Sequence, residues 1–168
     1  MCEQNMKEKY GFLTKIQLLS LYYKSRGYSY RRIAEIIGTS HQNIAVAYRR
    51  ALKNIELSEK TILYYKLSTA KFIALINKGT HLAEIPKLII EECDKRGIKL
   101  RADFTLIFKQ IRFYTPQCVS GSRLAGEIIV VVDEHGFIQV YSYREVKDII
   151  KDIEKTLGKQ IISIKHGY

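Results

Sequence analysis

Apolar residues recur at three- and four-residue intervals through the first half of the chain and give way to β-type runs in the second. Between Leu13 and Gly27 the stripe is Ile16, Leu19 and Tyr23, joined by Leu18 and Tyr22. Between Ser29 and Gly38 it is Ile33, Ala34 and Ile37, and beyond Ser40 it is Ile44, Tyr48, Ala51 and Ile55. Each stripe has its own start and stop signals. Thr14-Lys15-Ile16-Gln17 has the form of a capping box, Ser29 and Ser40 suit helix N-caps, and Gly27 and Gly38 suit residues that close a helix. Three helices are predicted, with Gly38-Thr39 as a tight turn before the third.

Thr61 to Lys78 continues the helical reading with Ile62, Tyr65, Phe72, Ile73 and Ile76, too much apolar surface for an isolated helix. It needs cover, from the C-terminal core or from its own copy in a dimer. Pro86 suits the first turn of a helix over Ile85 to Arg96, with Ile85, Leu88, Ile89 and Cys93 inward and Gly97 at its end. Ile98 to Phe113 is mostly β-branched, aromatic or leucine, a β signal, and Ile128 to Val132 reads as a buried strand. Asp133-Glu134-His135-Gly136 turns that strand back into Phe137 to Tyr143 as a hairpin. Arg144 to Leu157 is again helical, with Val146, Ile149, Ile150, Ile153 and Leu157 on one stripe and Gly158 at its end. Gln160 to Lys165 suits a last short strand. The predicted fold is α+β: a three-helix bundle over 1–60, a linking or dimerisation helix over 61–78, and a C-terminal domain over 79–168 with a small mixed sheet and helices. There is no internal repeat and no low-complexity linker.

Length and composition fit one compact domain or two small ones: 168 residues, 46% hydrophobic and 27% charged. They exclude a disordered acidic tail, a collagen-like repeat and a disulfide scaffold. Lys and Arg number 28 against 17 Asp and Glu, a net charge of +11, so a polyanion is the first partner to consider. Residues 1–60 hold 11 Lys and Arg against 5 acids, and the longer remainder 17 against 12, so the excess is densest in the N-terminal part. Cys2, Cys93 and Cys118 have no metal or disulfide spacing, which fits a reducing cytosol, and no apolar run is long enough for a membrane helix. Cys93 reads as a core thiol, and Cys118, in a loop from Pro116 to Gly126, as the more exposed one. His81, His135 and His166 are scattered, with no spacing that joins them to Asp103, Glu127 or Asp133. No metal or other cofactor is expected. Ser120-Gly121-Ser122-Arg123 reads as a flexible connection rather than a phosphate loop.

The chemistry lies on the outward side of the third helix, where His41, Gln42, Asn43, Ala45, Val46, Arg49, Arg50 and Lys53 oppose the apolar seam. A helix that reads DNA needs base-edge donors and acceptors in its first turn and phosphate-binding cations later. Gln42 and Asn43 each suit the bidentate pairing to adenine, His41 suits a donor role, and Val46 completes the base-facing set. Arg31, Arg32, Ser40, Arg49, Arg50 and Lys53 form the phosphate-facing set. From Arg26 to Asn54 six cations face a single acid, Glu35.

Leu13-Thr14-x-x-Gln17, Gly27-Tyr28-Ser29-x-x-x-Ile33-Ala34 and Gly38-x-Ser40-x-x-x-Ile44 resemble the promoter-reading C-terminal region of bacterial sigma factors and the LuxR-type output domain. The chain more closely resembles the archaeal Tfx family of DNA-binding proteins. That resemblance extends over a tyrosine-bearing helix, here Thr61 to Lys78, then Gly79-Thr80-x-x-x-x-Ile85-Pro86 and Gly97-Ile98-Lys99, and covers most of 12–100. It implies a cytosolic archaeal transcription regulator and carries a DNA-reading role onto His41, Gln42, Asn43, Arg49 and Arg50. It carries nothing onto the C-terminal part.

The expectation is therefore a sequence-specific regulator that binds double-stranded DNA through a helix-turn-helix and is not an enzyme. The C-terminal part is left to dimerise the protein, to take a small-molecule effector or to meet the transcription machinery, with dimerisation or structural support leading. A DNA-targeted metal-dependent nuclease or nucleotide hydrolase needs clustered acids, and a non-DNA-binding adaptor needs equal affinity for duplex DNA and structured RNA.

Overall fold

The computed structural model describes residues 9–158 and 160–164. Cys2, His166 and Lys165, the end of the last predicted strand, lie outside the described residues. The chain forms two compact units, Met1–Leu63 and Tyr64–Tyr168.

In the first unit a short antiparallel hairpin, β1 (Lys9–Tyr10) and β2 (Leu13–Thr14), leads into α1 (Lys15–Ser25), α2 (Tyr30–Ile37) and the greater part of α3 (His41–Thr69), whose residues from Tyr64 on belong to the second unit. The Thr14 box forms as predicted: the Gln17 N–H donates to the Thr14 hydroxyl, and the Thr14 N–H donates to the Gln17 side chain at 2.9 Å. The small core holds Ile33, Ala34 and Ile44, with Ile16, Tyr23, Tyr30 and Ile37 packed around it. Leu18 and Tyr22, predicted to join the inner stripe, are exposed, and Gln17 and Ser20 are buried instead. Both polar residues are satisfied locally, Gln17 by the capping box and Ser20 by donating to the Ile16 carbonyl at 2.6 Å, so their burial leaves no orphan group.

The predicted helix over 61–78 is corrected. α3 runs without a break to Thr69, and Phe72–Ile76 is a strand, β3. Apolar residues at 72, 73 and 76 suit either period, and here the non-local pairing decides. β3 lies inside a four-stranded sheet with β6 (Ile128–Val132), β7 (Ile138–Ser142) and β8 (Ile162–Ile164), in the order β7-β6-β3-β8. It runs antiparallel to β6 and parallel to β8, so the sheet is mixed. Phe72, Ile73 and Ile76 thus find their cover within the second unit, whereas Ile62 and Tyr65 remain exposed.

Both faces of this sheet are covered, which is why all five residues of β6 are buried. Phe72, Ala74, Ile76, Ile128, Val130 and Val132 belong to a core with Ile85, Ile89 and Cys93 of α4 (Ile85–Lys95) and Ile107 and Ile111 of α5 (Phe104–Tyr114). Ile129 and Val131 point the other way, and α6 (Tyr143–Leu157) contacts β6 and β7 through a stripe of Val146, Ile149, Ile150 and Ile153. Leu157, predicted to continue that stripe, is exposed.

α5 corrects a second expectation, since the segment with the β signal is helical from Phe104. Asp103 caps it, accepting from the Leu106 N–H at 2.7 Å, and Ile107 and Ile111 provide a four-residue buried spacing. The connection at 119–124 is no flexible loop. It is a hairpin of β4 (Val119–Ser120) and β5 (Arg123–Leu124), and Cys118 just before it is buried rather than exposed.

Candidate nucleic-acid interface

The helix-turn-helix is set by local backbone chemistry. Ser29 caps α2, accepting from the Arg32 N–H at 3.2 Å. α2 then closes at Gly38, whose φ of 78° lies in the left-handed region that a side chain disfavours. The Gly38 and Thr39 N–H groups both donate to the Ala34 carbonyl, at 2.9 and 3.0 Å, and the chain turns at once into α3. Ser40 caps the new helix, accepting from the Asn43 N–H at 3.2 Å.

Buried Ile33, Ala34, Ile44, Ala47 and Ala51 hold α3 in this unit, and the three alanines permit close helix approach. Tyr30 and Tyr48 add a tilted ring contact with centroids 6.0 Å apart. At about 100° per residue, Gln42, Asn43, Val46, Arg49, Arg50 and Lys53 fall within an arc of roughly 120° on the side of α3 away from this seam. Gln42, Asn43, Arg49, Arg50 and Lys53 are exposed, and Val46 is half-buried. His41 is exposed as well but starts the helix outside that arc.

Internal bonds tune several of these side chains. The Asn43 side-chain amide donates to the Thr39 hydroxyl at 2.9 Å, which uses one of its two amide protons. Ser40, exposed, keeps its hydroxyl proton free while its oxygen caps α3. Arg49 Nε reaches the Ala45 carbonyl at 3.4 Å. Arg31 and Arg32 stand exposed in the first turn of α2, and Arg32 pairs with Glu35 at 3.0 Å. Both partners of that pair are 64% exposed, so it holds the arginine weakly.

The acids weighed for catalysis are dispersed. Asp103 caps α5, and Asp133 accepts from the His135 and Phe137 N–H groups at 2.9 Å in the β6–β7 turn. Among the described residues no group of three or more His, Cys, Asp and Glu is placed to hold a metal ion, and no helix is long and apolar enough to cross a membrane. Cys93 is fully buried, and burial pushes its thiol up to about 11.

The sequence reading missed one cluster. Lys71, Arg96, Lys99, Arg101, Glu134 and His135 line a cleft of about 420 Å³ in the second unit. They come from three separate stretches of chain, so only the folded topology brings them together.

Residues 58–140 match the family model described as DNA-binding protein, TFX, C-term. A candidate transcriptional regulatory protein of Pyrococcus furiosus is 34% identical over 142 residues, 84% of this chain and 98% of its own. Another, of Methanococcus vannielii, is 28% identical over 137 residues, 82% of this chain and 96% of its own. A DNA-binding protein named Tfx from Methanothermobacter thermautotrophicus is 37% identical over 101 residues, 60% of this chain and 73% of its own. The family match continues to residue 140, well past the point near Leu100 where the sequence resemblance ended.

Proposed function

The chain belongs to the Tfx family of archaeal DNA-binding regulators of transcription, and on that premise we propose that it reads duplex DNA sequence-specifically with the first turns of α3 in the major groove. The observation that carries this reading is the opposition on α3 between a buried alanine-rich seam and an exposed arc holding two carboxamides and three cations.

The division of labour follows from chemistry. Arg31, Arg32, Arg49, Arg50 and Lys53 neutralise phosphates and release counterions, the salt-dependent and sequence-blind part of the affinity. Ser40 donates its hydroxyl proton to a phosphate oxygen beside them. Gln42 and Asn43 supply the donor and acceptor pair that matches adenine N7 and N6. Asn43 keeps this capacity while bonded to Thr39, because that bond uses one of its two amide protons. Val46 offers an apolar surface to a thymine methyl, and His41, at the flank, donates to a base edge or a phosphate.

The test is selection of bound duplexes from a random pool at physiological salt. Enrichment of a defined motif containing adenine is expected, and two half-sites about 34–36 Å apart would add that the protein binds as a dimer. A pool that remains random after repeated rounds overturns the reading.

A further inference from the structure

We propose that the cleft between the start of β3, the segment after α4 and the β6–β7 turn binds a small, multiply charged phosphate compound. Lys71, Arg96, Lys99 and Arg101 line it together with His135, and Glu134 is the single acid in its lining, so basic side chains outnumber acidic ones there. Its volume, about 420 Å³, lies in the range of small-molecule sites. Among the described residues, Lys71, Lys99 and Arg101 have no carboxylate within ion-pair distance, whereas Arg96 pairs with Glu92 and His135 lies 3.7 Å from the Glu134 carboxylate.

The floor of the cleft is rigid, which distinguishes it from scattered surface lysines. The Arg101 N–H donates to the Gly136 carbonyl at 2.8 Å, which ties the 97–101 segment to the turn. At Gly136 a Cβ would lie 2.1 Å from the Lys99 carbonyl oxygen, so the two backbones touch as only glycine allows. Asp133 clamps the other side of the turn by accepting from the His135 and Phe137 N–H groups. The Arg101 guanidinium lies over the Phe137 ring, 5.3 Å from its centroid, which favours that placement of its fork. A tetrahedral phosphate offers oxygens in several directions, which suits cations converging from different segments, and the arginine fork matches it bidentately.

The cleft lies in the second unit and the DNA-reading residues in the first, so its primary test uses a phosphate probe alone. Pyrophosphate is titrated calorimetrically into the full chain at physiological salt. Saturable binding is expected, weakened roughly five-fold by Lys99→Gln or Arg101→Gln, strengthened by Glu134→Gln and unchanged by Arg49→Gln. Lys71→Gln provides an exposed second variant that leaves the Phe137 stacking in place, and thermal melts confirm that each variant folds. Absence of saturable binding overturns the proposal, as does citrate binding as tightly as pyrophosphate. Loss of affinity for random duplex DNA in Lys99→Gln with pyrophosphate affinity unchanged also overturns it and makes the cleft a DNA contact.

Discussion

Asn43 donates its side-chain amide to the hydroxyl of Thr39, 2.9 Å away across the turn that joins α2 to α3. The bond holds the carboxamide plane at the start of α3, and on the proposed reading this lowers the ordering cost of pairing to a base. Thr39→Val removes the acceptor with little change of shape. The expected outcome is a loss of roughly 0.5–1.5 kcal/mol on the selected duplex and almost none on random DNA, measured by fluorescence anisotropy on both.

The proposed reading gives Arg49 and Arg50 the complementary, phosphate-binding role. Replacing either by alanine is expected to weaken every duplex alike and to lower the slope of log affinity against log salt by about one. Anisotropy titrations from about 50 to 200 mM salt check this. Arg32→Ala is expected to cost less, because Arg32 already has a carboxylate partner in Glu35.

Gly38 sits at a φ of 78° with nothing within 4 Å of where a Cβ would stand. Gly38→Ala therefore strains only the backbone, by roughly 1–2 kcal/mol. Calorimetric melting is expected to show the loss in the first unit, with DNA affinity falling in parallel.

Cys93 and Cys118 are both buried, and burial pushes the Cys93 thiol from its ordinary value of 9.0 up to about 11. The native protein is expected to resist iodoacetamide at both positions at pH 8, with modification only after unfolding, as read by peptide mass mapping. The Tyr64 phenol is also held above its ordinary value, first by its hydrogen bond to the Asp152 carboxylate. A raised pKa in the folded state stabilises fully below the unfolded value. That contribution to the stability of the second unit is therefore expected to be lost only as pH rises above the ordinary value of 10.0, as checked by urea unfolding below and above that pH.

The helix-turn-helix was legible because its determinants are local. The Thr14 and Gln17 box, the caps at Ser29 and Ser40 and the turn at Gly38 each act within four residues of the backbone groups they satisfy. Phe72–Ile76 was misread because its spacing fits helix and strand alike, and only β6 and β8, more than 50 residues away in the chain, decide the matter. At 98–113 the β-branched content outweighed a correct local signal, the Asp103 cap ahead of Ile107 and Ile111. Cys118 was placed in solvent because its burial depends on a hairpin whose cover comes from elsewhere in the second unit. The cationic cleft had no linear signature, since Lys71 and His135 meet only through the sheet.

The central claim is that α3 reads base edges, and Asn43 tests it most directly. The affinities of the unaltered chain and of Asn43→Ala are measured on the best selected duplex and on a random duplex, at one physiological salt concentration. The expected result is a loss of about 1–3 kcal/mol on the selected duplex with affinity for the random one nearly unchanged. Equal losses on the two duplexes, or none on either, would contradict base reading by this helix.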